Sequence, residues 1–342
     1  MNTEIKTFLK HNYGKEALDT LQILAQSGSS RVYYRFEFQE KSFIVTESSN
    51  LEENKTFLYF TNHFSEFISN LPEIHKVSDD LSLYVQTDLG SQSLMDYLSI
   101  HKESGMGFYK KSLSQLVKMQ VLGDVSLDYS RCFSYPKFSS LLVLRDLFLF
   151  KNYFLNISGL EFNQGKLLKD FERFATDFEG INYRYFTYRD FQSRNIMIYK
   201  NEPYFIDYQG GMKGPAQYDL VSLLWQAKAN LSDEWKDELY NFYIEEFIDI
   251  TQRDMNGFEF RKGYELCVVE RLLQVLGAYG FRGIFEGKKH FLESIEFGLR
   301  NLSKITNYTL LENYPELYTV IQKMVEPQFY NQIKKIIDER NT

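Results

Sequence analysis

Residues 188–220, YRDFQSRNIMIYKNEPYFIDYQGGMKGPAQYDL, contain the most informative pattern of the sequence. Within it, the runs 196–199 and 203–206 have the length and the residue types of short strands. Three residues join them, which is a connection short enough for an antiparallel hairpin. Asn195 directly precedes the first strand and Asp207 directly follows the second. The open end of the hairpin should therefore place these two residues side by side.

Asp190 lies five positions before Asn195, in the segment that leads into the same end of the hairpin. One carboxamide and two carboxylates therefore converge, and residues 188–220 contain no His or Cys that could join them. Oxygen ligands of this kind are typical of Mg²⁺, which keeps several waters and binds substrate phosphates. An Asp or Asn at a strand end is often only a turn former or a cap. The three together, at this spacing, favour a phosphoryl-transfer site.

The composition excludes several other classes of protein. The chain has 342 residues, of which 44% are hydrophobic, and this is enough for one large domain or two smaller ones. A net charge of −7 is unfavourable for a non-specific nucleic-acid binder. The two cysteines, Cys132 and Cys267, cannot form a disulfide framework and do not have the spacing of metal ligands.

No stretch of the sequence predicts a membrane-spanning helix or a secretory leader. The most apolar segment, 141–155, is interrupted by Arg145, Asp146 and Lys151. The first residues carry charges where a signal peptide needs an apolar run. We therefore expect a cytoplasmic protein with neither a membrane nor a nucleic-acid partner.

The pattern of apolar residues changes just before Ser93. Upstream, residues 32–38 alternate with a period of two and are followed by a second apolar run at 42–46, which predicts a β-hairpin. Ser93 begins a capping-box helix, and amphipathic helices dominate from there on. We therefore predict an α+β protein with a small β-rich lobe, residues 1–88, and a large, mostly helical lobe, residues 89–342.

Three segments of the sequence resemble the aminoglycoside-phosphotransferase-like kinases. Residues 189–195 are similar to the catalytic loop of that family, 206–209 to its metal-binding Asp segment, and 214–224 to the stretch that follows. Within the superfamily, the pattern is most similar to bacterial cell-wall-recycling kinases, which phosphorylate the anomeric hydroxyl of N-acetylmuramate or N-acetylglucosamine. The resemblance implies a protein-kinase-like bilobal fold, with an N-terminal nucleotide-binding lobe and a C-terminal catalytic and acceptor-binding lobe. Weaker likeness extends over 29–35, 145–150 and 270–279.

The resemblance also implies an ATP-dependent enzyme that transfers a phosphoryl group to a hydroxyl of a small molecule, most simply a sugar. Asp190 would orient and deprotonate that hydroxyl, because phosphoryl transfer depends on positioning more than on covalent chemistry. Asn195 and Asp207 would hold Mg²⁺ against the nucleotide phosphates. Arg194 would neutralise charge on the transferred group, or else form a salt bridge within the helical lobe. The nucleotide-binding residues that the likeness implies are Ser29, Ser30 and Arg31 before the first hairpin, and Gln86, Asp88 and Leu89 at the lobe junction.

The sequence departs from the superfamily at two positions. Tyr188 stands two residues before Asp190, where His is usual, and an aromatic side chain there can still pack and form a hydrogen bond. The lysine of the third kinase strand is missing, and Thr46 lies near its expected place. The sugar-kinase branch also lacks that lysine, so the departure supports the branch. Arg31 and Lys41 are the candidate substitutes for its phosphate contact.

Two alternatives remain open at this point. The same chemistry could act on choline or on an aminoglycoside, since sites for cationic acceptors tend to be acidic and lined by aromatic residues. The stretch 214–224 and Gln209 favour the sugar branch instead. A catalytically dead kinase-like module would bind nucleotide or a protein without turnover. The joint retention of Asp190, Asn195 and Asp207 argues against such a module.

Overall fold

The computed structural model describes residues 3–24 and 31–341, and the chain divides into two compact units. The first unit consists of Met1–Pro136 and Ser193–Met212, and the second of Lys137–Gln192 and Lys213–Thr342. Both units are therefore built from two separate segments of the chain.

A five-stranded antiparallel sheet forms the N-terminal part of the first unit. Its strands are β1 Gln22–Ile23, β2 Val32–Phe38, β3 Lys41–Glu47, β4 Ile74–Val77 and β5 Leu83–Thr87. Their order in the sheet is β1-β2-β3-β5-β4. The predicted first hairpin is confirmed as β2 and β3. Its turn residues, Gln39 and Glu40, have φ angles of 50° and 60°, the left-handed values of a turn that matches the twist of the strands.

Among the described residues of the same unit, five segments are α-helices. They are α1 Thr3–Tyr13, α2 Glu16–Asp19, α3 Leu51–Phe64, α4 Leu94–Ile100 and α5 Gly105–Val121. The predicted capping box of α4 is confirmed, since the Ser93 and Asp96 side chains each accept the other's backbone N–H. The sequence analysis missed α1, which buries Ile5 and Leu9 against the sheet. Two buried residues in eleven give only a weak helical period.

The hairpin predicted within residues 188–220 is also confirmed. It consists of β7, Ile196–Tyr199, and β8, Glu202–Phe205, paired antiparallel. A strand that precedes it, β6, lies at Arg184–Thr187. The turn residues Lys200 and Asn201 have φ angles of 50° and 62°, which again define a turn suited to a two-residue hairpin loop.

Hydrogen bonds anchor this hairpin to other parts of the first unit. The Ile198 N–H donates to the carbonyl of Gln92 at 2.9 Å, and the side-chain amide of Asn70 donates to the carbonyl of Pro203 at 2.8 Å. This anchoring helps to explain why the compact first unit continues past residue 88 and takes in the hairpin. The functional division into a lobe at 1–88 and a lobe at 89–342 stays a prediction.

The second unit is mostly helical. Its helices are α6 Ser140–Phe150, α7 Gln164–Glu179, α8 Gln217–Leu224, α9 Asp233–Thr251, α10 Gly257–Tyr279, α11 Lys289–Leu292, α12 Ile295–Ser303, α13 Pro315–Met324 and α14 Pro327–Asn341. A short strand, β9 at Met212–Pro215, pairs with β6. The long helix α10 packs against α6 and α8. Gly277 permits the close approach to α6, because a Cβ there would lie 2.6 Å from the backbone nitrogen of Phe150.

Helix α6 carries the segment that comes closest to a membrane helix in the sequence. It ends after 11 residues at Phe150, and a π-helical turn, Lys151–Leu155, follows. Across residues 3–24 and 31–341, no helix combines the length and the apolar character needed to cross a membrane.

Candidate active site

The open end of the β7–β8 hairpin brings Asn195 and Asp207 together. The Nδ2 of Asn195 donates a hydrogen bond to Oδ2 of Asp207 at 3.3 Å. The Ile206 N–H donates to the Asn195 carbonyl at 3.1 Å, which continues the ladder by one step. Asp207 has a φ of 71°, in the left-handed region that Asp and Asn enter more readily than most residues. The predicted juxtaposition of the amide and the carboxylate is confirmed.

Gln209 links Asp207 to helix α3. Its Nε2 donates to Oδ1 of Asp207 at 2.7 Å and to Oε1 of Glu53 at 3.2 Å. The side chain is buried, and its Oε1 has no hydrogen-bond partner among residues 3–24 and 31–341. One amide group therefore bridges two carboxylates, so that neither has to approach the other directly.

Arg31 closes this chain of contacts. Its guanidinium lies 3.2 Å from Oε1 of Glu53, and the side chain is only 3% exposed. The guanidinium also lies 5.7 Å from the centre of the Phe57 ring, on the same helix as Glu53. A buried cation needs such partners because transfer out of water is costly. Arg31, Glu53, Gln209, Asp207 and Asn195 thus form one continuous polar cluster in the first unit.

An aromatic contact holds the segment after β8 against α3. The Tyr208 ring stacks on Phe57 with 5.1 Å between ring centres and 18° between planes. The Tyr208 hydroxyl also shares a hydrogen bond with the Thr61 hydroxyl at 2.5 Å. Both side chains are buried, so the position of Tyr208 fixes the two polar residues that flank it in sequence.

Asp190 belongs to the second unit and lies on a loop whose backbone is held by hydrogen bonds to Asp219. Its side chain is 46% exposed, and the Gln192 amide donates to its Oδ1 at 3.1 Å. The fully buried carboxylate of Asp219 accepts the backbone N–H of Tyr188 at 2.7 Å and that of Arg189 at 2.9 Å. Arg189 has a φ of 77°. The loop is therefore held in a strained turn that presents Asp190 to solvent.

The remaining predicted site residues differ in how exposed they are, and two of them are not described. Arg194 is exposed, and none of the ion pairs within the described ranges includes it. Ser29 and Ser30 lie outside the described residues. Gln86 lies within β5, where it is paired with both neighbouring strands, β3 and β4. Leu89 is buried.

The Asp88 carboxylate is used within the sheet. It accepts two hydrogen bonds from Arg35, at 2.6 and 2.9 Å, and one from the Ser42 hydroxyl at 2.6 Å. Burial alone would raise the pKa of Asp88, but these donors and the Gly90 N–H hold that pKa below its ordinary value. Its side chain thus has a structural role, and only its backbone is available for the predicted nucleotide contact.

The polar cluster has the donor chemistry that magnesium prefers. Asn195, Asp207 and Gln209 offer amide and carboxylate oxygens, and the buried Gln209 Oε1 still has an unmet hydrogen-bonding capacity in the described part of the chain. No group of three or more His, Cys, Asp or Glu residues in the described ranges is arranged to hold a metal. A set made only of amide and carboxylate oxygens fits a hard cation such as Mg²⁺ better than zinc or another soft metal.

Solved structures show which fold the chain has. An ADP-bound aminoglycoside phosphotransferase, APH(2'')-Ib, superposes with a TM-score of 0.57 and 14% identity, covering 88% of this chain and 98% of that one. An ethanolamine kinase from Plasmodium vivax gives a TM-score of 0.60 and 13% identity, covering 89% of this chain and 90% of that one. The chain has the protein-kinase-like fold, with a small antiparallel sheet in its N-terminal region and a large helical part.

The sequence is also similar to curated proteins that share one name. The chain is 24% identical over 331 residues to an N-acetylmuramate/N-acetylglucosamine kinase of Neisseria meningitidis serogroup B, covering 94% of this chain and 95% of the relative. A kinase of the same name from Pseudomonas aeruginosa is 22% identical over 316 residues, covering 91% and 89%. No protein-family model matches the chain. The predicted resemblance to these kinases is confirmed, and the protein is a phosphotransferase of the kinase type.

Glu53 and Gln209 are site residues that the sequence analysis missed as members of the cluster. Both positions commonly carry polar residues with no functional role. Glu53 lies in the first turn of a helix, and Gln209 lies two residues after the Asp at a strand end. The signal that could have found Glu53 is its place on the helix after the first hairpin, where kinases carry the glutamate that pairs with the strand lysine.

Asp219→Asn should lower the free energy of unfolding by about 2–4 kcal/mol, because an amide cannot accept both backbone N–H groups as a carboxylate does. It should also reduce phosphoryl-transfer turnover roughly 10-fold or more, since the loop that carries Asp190 loosens. The control is Asp170→Ala, because it removes the acceptor of two backbone N–H groups, those of Glu316 and Leu317, away from the Asp190 loop. Thermal unfolding and turnover at a temperature well below both transitions provide the comparison. An equal loss of turnover in both variants would show that the effect is only global destabilisation.

Proposed function

We propose that the protein is an ATP-dependent kinase that phosphorylates the anomeric hydroxyl of an N-acetylated amino sugar, N-acetylmuramate or N-acetylglucosamine. The observation that carries the proposal is the hydrogen-bonded pair Asn195 and Asp207 within the polar cluster, in a chain whose relatives are named as kinases of these two sugars. The ADP in the similar phosphotransferase supports ATP as the donor. A small-molecule acceptor in the cytoplasm is the only partner that the proposal needs.

In this proposal, Asp190 orients the acceptor hydroxyl and takes its proton as the bond to phosphorus forms. The exposed fraction of its side chain, 46%, leaves it accessible to a substrate. One well-placed carboxylate suffices, because the transition state of phosphoryl transfer asks for positioning and charge neutralisation. An anomeric hydroxyl is more acidic than an ordinary alcohol, so it needs less help from the base.

Asn195 and Asp207 would hold Mg²⁺, and the buried Gln209 Oε1, which has no hydrogen-bond partner in the described part of the chain, could accept a hydrogen bond from a water that comes with the ion. When bound, the ion neutralises negative charge on the nucleotide phosphates. The chain's own contribution is to keep the Asp207 carboxylate in one orientation. The two amides that donate to it, from Asn195 and Gln209, do this from opposite oxygens.

Arg31 takes the place of the missing strand lysine. In kinases that lysine pairs with a glutamate of the following helix and contacts the nucleotide phosphates. The Arg31–Glu53 ion pair supplies the same combination of a buried cation and a helix carboxylate. Lys41 is the weaker candidate, because it is exposed at the turn end of the hairpin, opposite Phe38.

The other nucleotide contacts stay part of the proposal. Ser29 and Ser30 would contribute at the phosphate side, and Gln86, Asp88 and Leu89 would offer backbone groups to the adenine. Arg194, whose side chain is exposed, would neutralise charge on the transferred phosphoryl group.

The product identifies the acceptor. After incubation of the protein with Mg-ATP and N-acetylglucosamine, N-acetylmuramate, choline or kanamycin, phosphorus NMR should detect a sugar 1-phosphate with the amino sugars only. Heat-inactivated protein provides the background. If phosphocholine or a phosphorylated aminoglycoside were the sole product, the proposed acceptor would be wrong and the proposed kinase chemistry would stand. ATP binding without any phosphorylated product would favour a catalytically dead module.

Asp190→Asn should keep the fold and nucleotide binding and lose roughly 10²-fold or more in turnover, as expected for removal of a general base. Because the side chain is half-exposed, the substitution should leave the unfolding temperature nearly unchanged. Asp237→Asn, at an exposed position of α9, is the control and should retain turnover. Near wild-type turnover of Asp190→Asn would remove Asp190 from the mechanism.

Arg31→Met should reduce kcat/KM for ATP roughly 10- to 100-fold, which corresponds to one lost charge-assisted contact of about 1.5–3 kcal/mol. Arg31→Lys should recover part of this loss, since it restores the charge. Lys41→Met is the matched control and should change kcat/KM for ATP less than twofold. The opposite ranking of the two Met variants would assign the phosphate contact to Lys41.

A further inference from the structure

Two consecutive residues of α10, Glu270 and Arg271, place ionisable side chains in the core of the second unit. Glu270 is fully buried, and Arg271 is 6% exposed. The Arg271 guanidinium donates to the Tyr218 hydroxyl and to Oε1 of Gln274, both at 3.1 Å. One of its nitrogens lies 3.8 Å from Oδ1 of Asp190. Arg271 is thus a rigidly held cation that reaches the side chain to which the proposal gives the acceptor proton.

Glu270 faces a different set of charges. Asp146 on α6 is 3% exposed and lies 3.4 Å from the guanidinium of Arg189, which in turn stacks over the Phe138 ring at 4.2 Å. Burial raises the pKa of Glu270 to about 8, and the negative charge of Asp146 acts in the same direction. The groups that face Glu270 from the surrounding elements are Asp146 on α6, Arg189 on the loop after β6, Tyr218 on α8, and Cys267 and Arg271 on α10.

Nothing in the described part of the chain stabilises the charged form of Glu270 by a hydrogen bond, because both of its carboxylate oxygens are buried without a partner there. Asp146 is already paired with two guanidinium groups, Arg145 at 2.8 Å and Arg189 at 3.4 Å. An ionised Glu270 would attract the neighbouring Arg271 guanidinium away from Asp190. A buried charge without a hydrogen-bond partner is strongly disfavoured, so the protonated state of Glu270 is the stable one.

We propose that Arg271 is a positioning residue for Asp190, and that protonated Glu270 keeps the Arg271 guanidinium available for this task. The inference rests on the proposed function, because it gives Asp190 its role. The contacts from Arg271 and Gln192 both fall on Oδ1 of Asp190, which limits rotation of the carboxylate. Loss of the Glu270 proton draws the Arg271 guanidinium toward Glu270 and away from Asp190, so that the Asp190 carboxylate is held less firmly.

The test follows kcat for the amino sugar with saturating Mg-ATP as a function of pH. Wild-type kcat should fall above about pH 8, as Glu270 ionises. Glu270→Gln cannot ionise, so its kcat should lack that fall. Glu265→Gln on the same helix removes a carboxylate that is paired with Arg261 near the surface, and it should keep the wild-type profile. A Glu270→Gln profile with the wild-type fall, or a Glu270→Gln chain that does not fold, overturns the inference.

Arg271 is tested separately through its coupling to Asp190. Arg271→Met should lower kcat roughly 10-fold or more and leave KM for ATP within about twofold, and Arg271→Lys should restore part of the loss. In the Asp190→Asn background, Arg271→Met should cause little further loss, because the residue that it positions is already absent. A full additional loss in that background would show that Arg271 acts elsewhere.

Thermal unfolding gives a readout that does not depend on activity. A folded-state pKa above the ordinary value means that the folded chain binds the proton more tightly, so the stability from protonated Glu270 declines as pH rises from about 5 toward about 8. The unfolding temperature of wild type should therefore fall relative to Glu270→Gln over that range. A constant difference would contradict a buried, protonated Glu270. Wild-type protein that forms no sugar phosphate refutes the proposed function, whereas active wild type with unchanged variants refutes only the inference.

Discussion

The register of one short hairpin controls the geometry of the site. Because Ile196 pairs with Phe205, the two residues just outside the strands meet across the open end. A slip of one residue would turn every side chain of one strand to the opposite face and would separate Asn195 from Asp207. The left-handed turn at Lys200 and Asn201 prevents that slip, since a two-residue loop of this type allows one register.

The polar cluster in the first unit is arranged around the problem of two carboxylates close together. Glu53 and Asp207 would repel each other if they met directly, yet both are needed in the proposed kinase. Gln209 resolves this conflict, because one neutral amide donates to both. A carboxylate at position 209 would instead add a third negative charge, and the cation of Arg31 alone could not balance it.

The sequence predicts those parts of the site that depend on local pattern. The β7–β8 hairpin and the approach of Asn195 to Asp207 follow from strand length and loop length, and both are confirmed. The partners Glu53 and Arg271 could not be predicted in this way, since each lies on a helix far from its partner in sequence. Their contacts depend on tertiary packing. The short helix α1 was missed because its buried face has too few apolar residues to produce a clear period.

The pairing of β2 with β3 explains how, in the proposed kinase, an arginine next to β2 can occupy the position of a lysine on β3. Tyr33 lies directly opposite Thr46, the position near which the kinase lysine is expected. Residues paired across a sheet point to the same face, and so do residues two apart along a strand. Arg31 directly precedes β2, and its guanidinium contacts the Tyr33 hydroxyl, which places it on the face shared by Tyr33 and Thr46. The arginine side chain, which is longer than that of lysine, reaches Glu53 from beside the neighbouring strand. Position 46 then needs no cation and is occupied by a small, buried threonine.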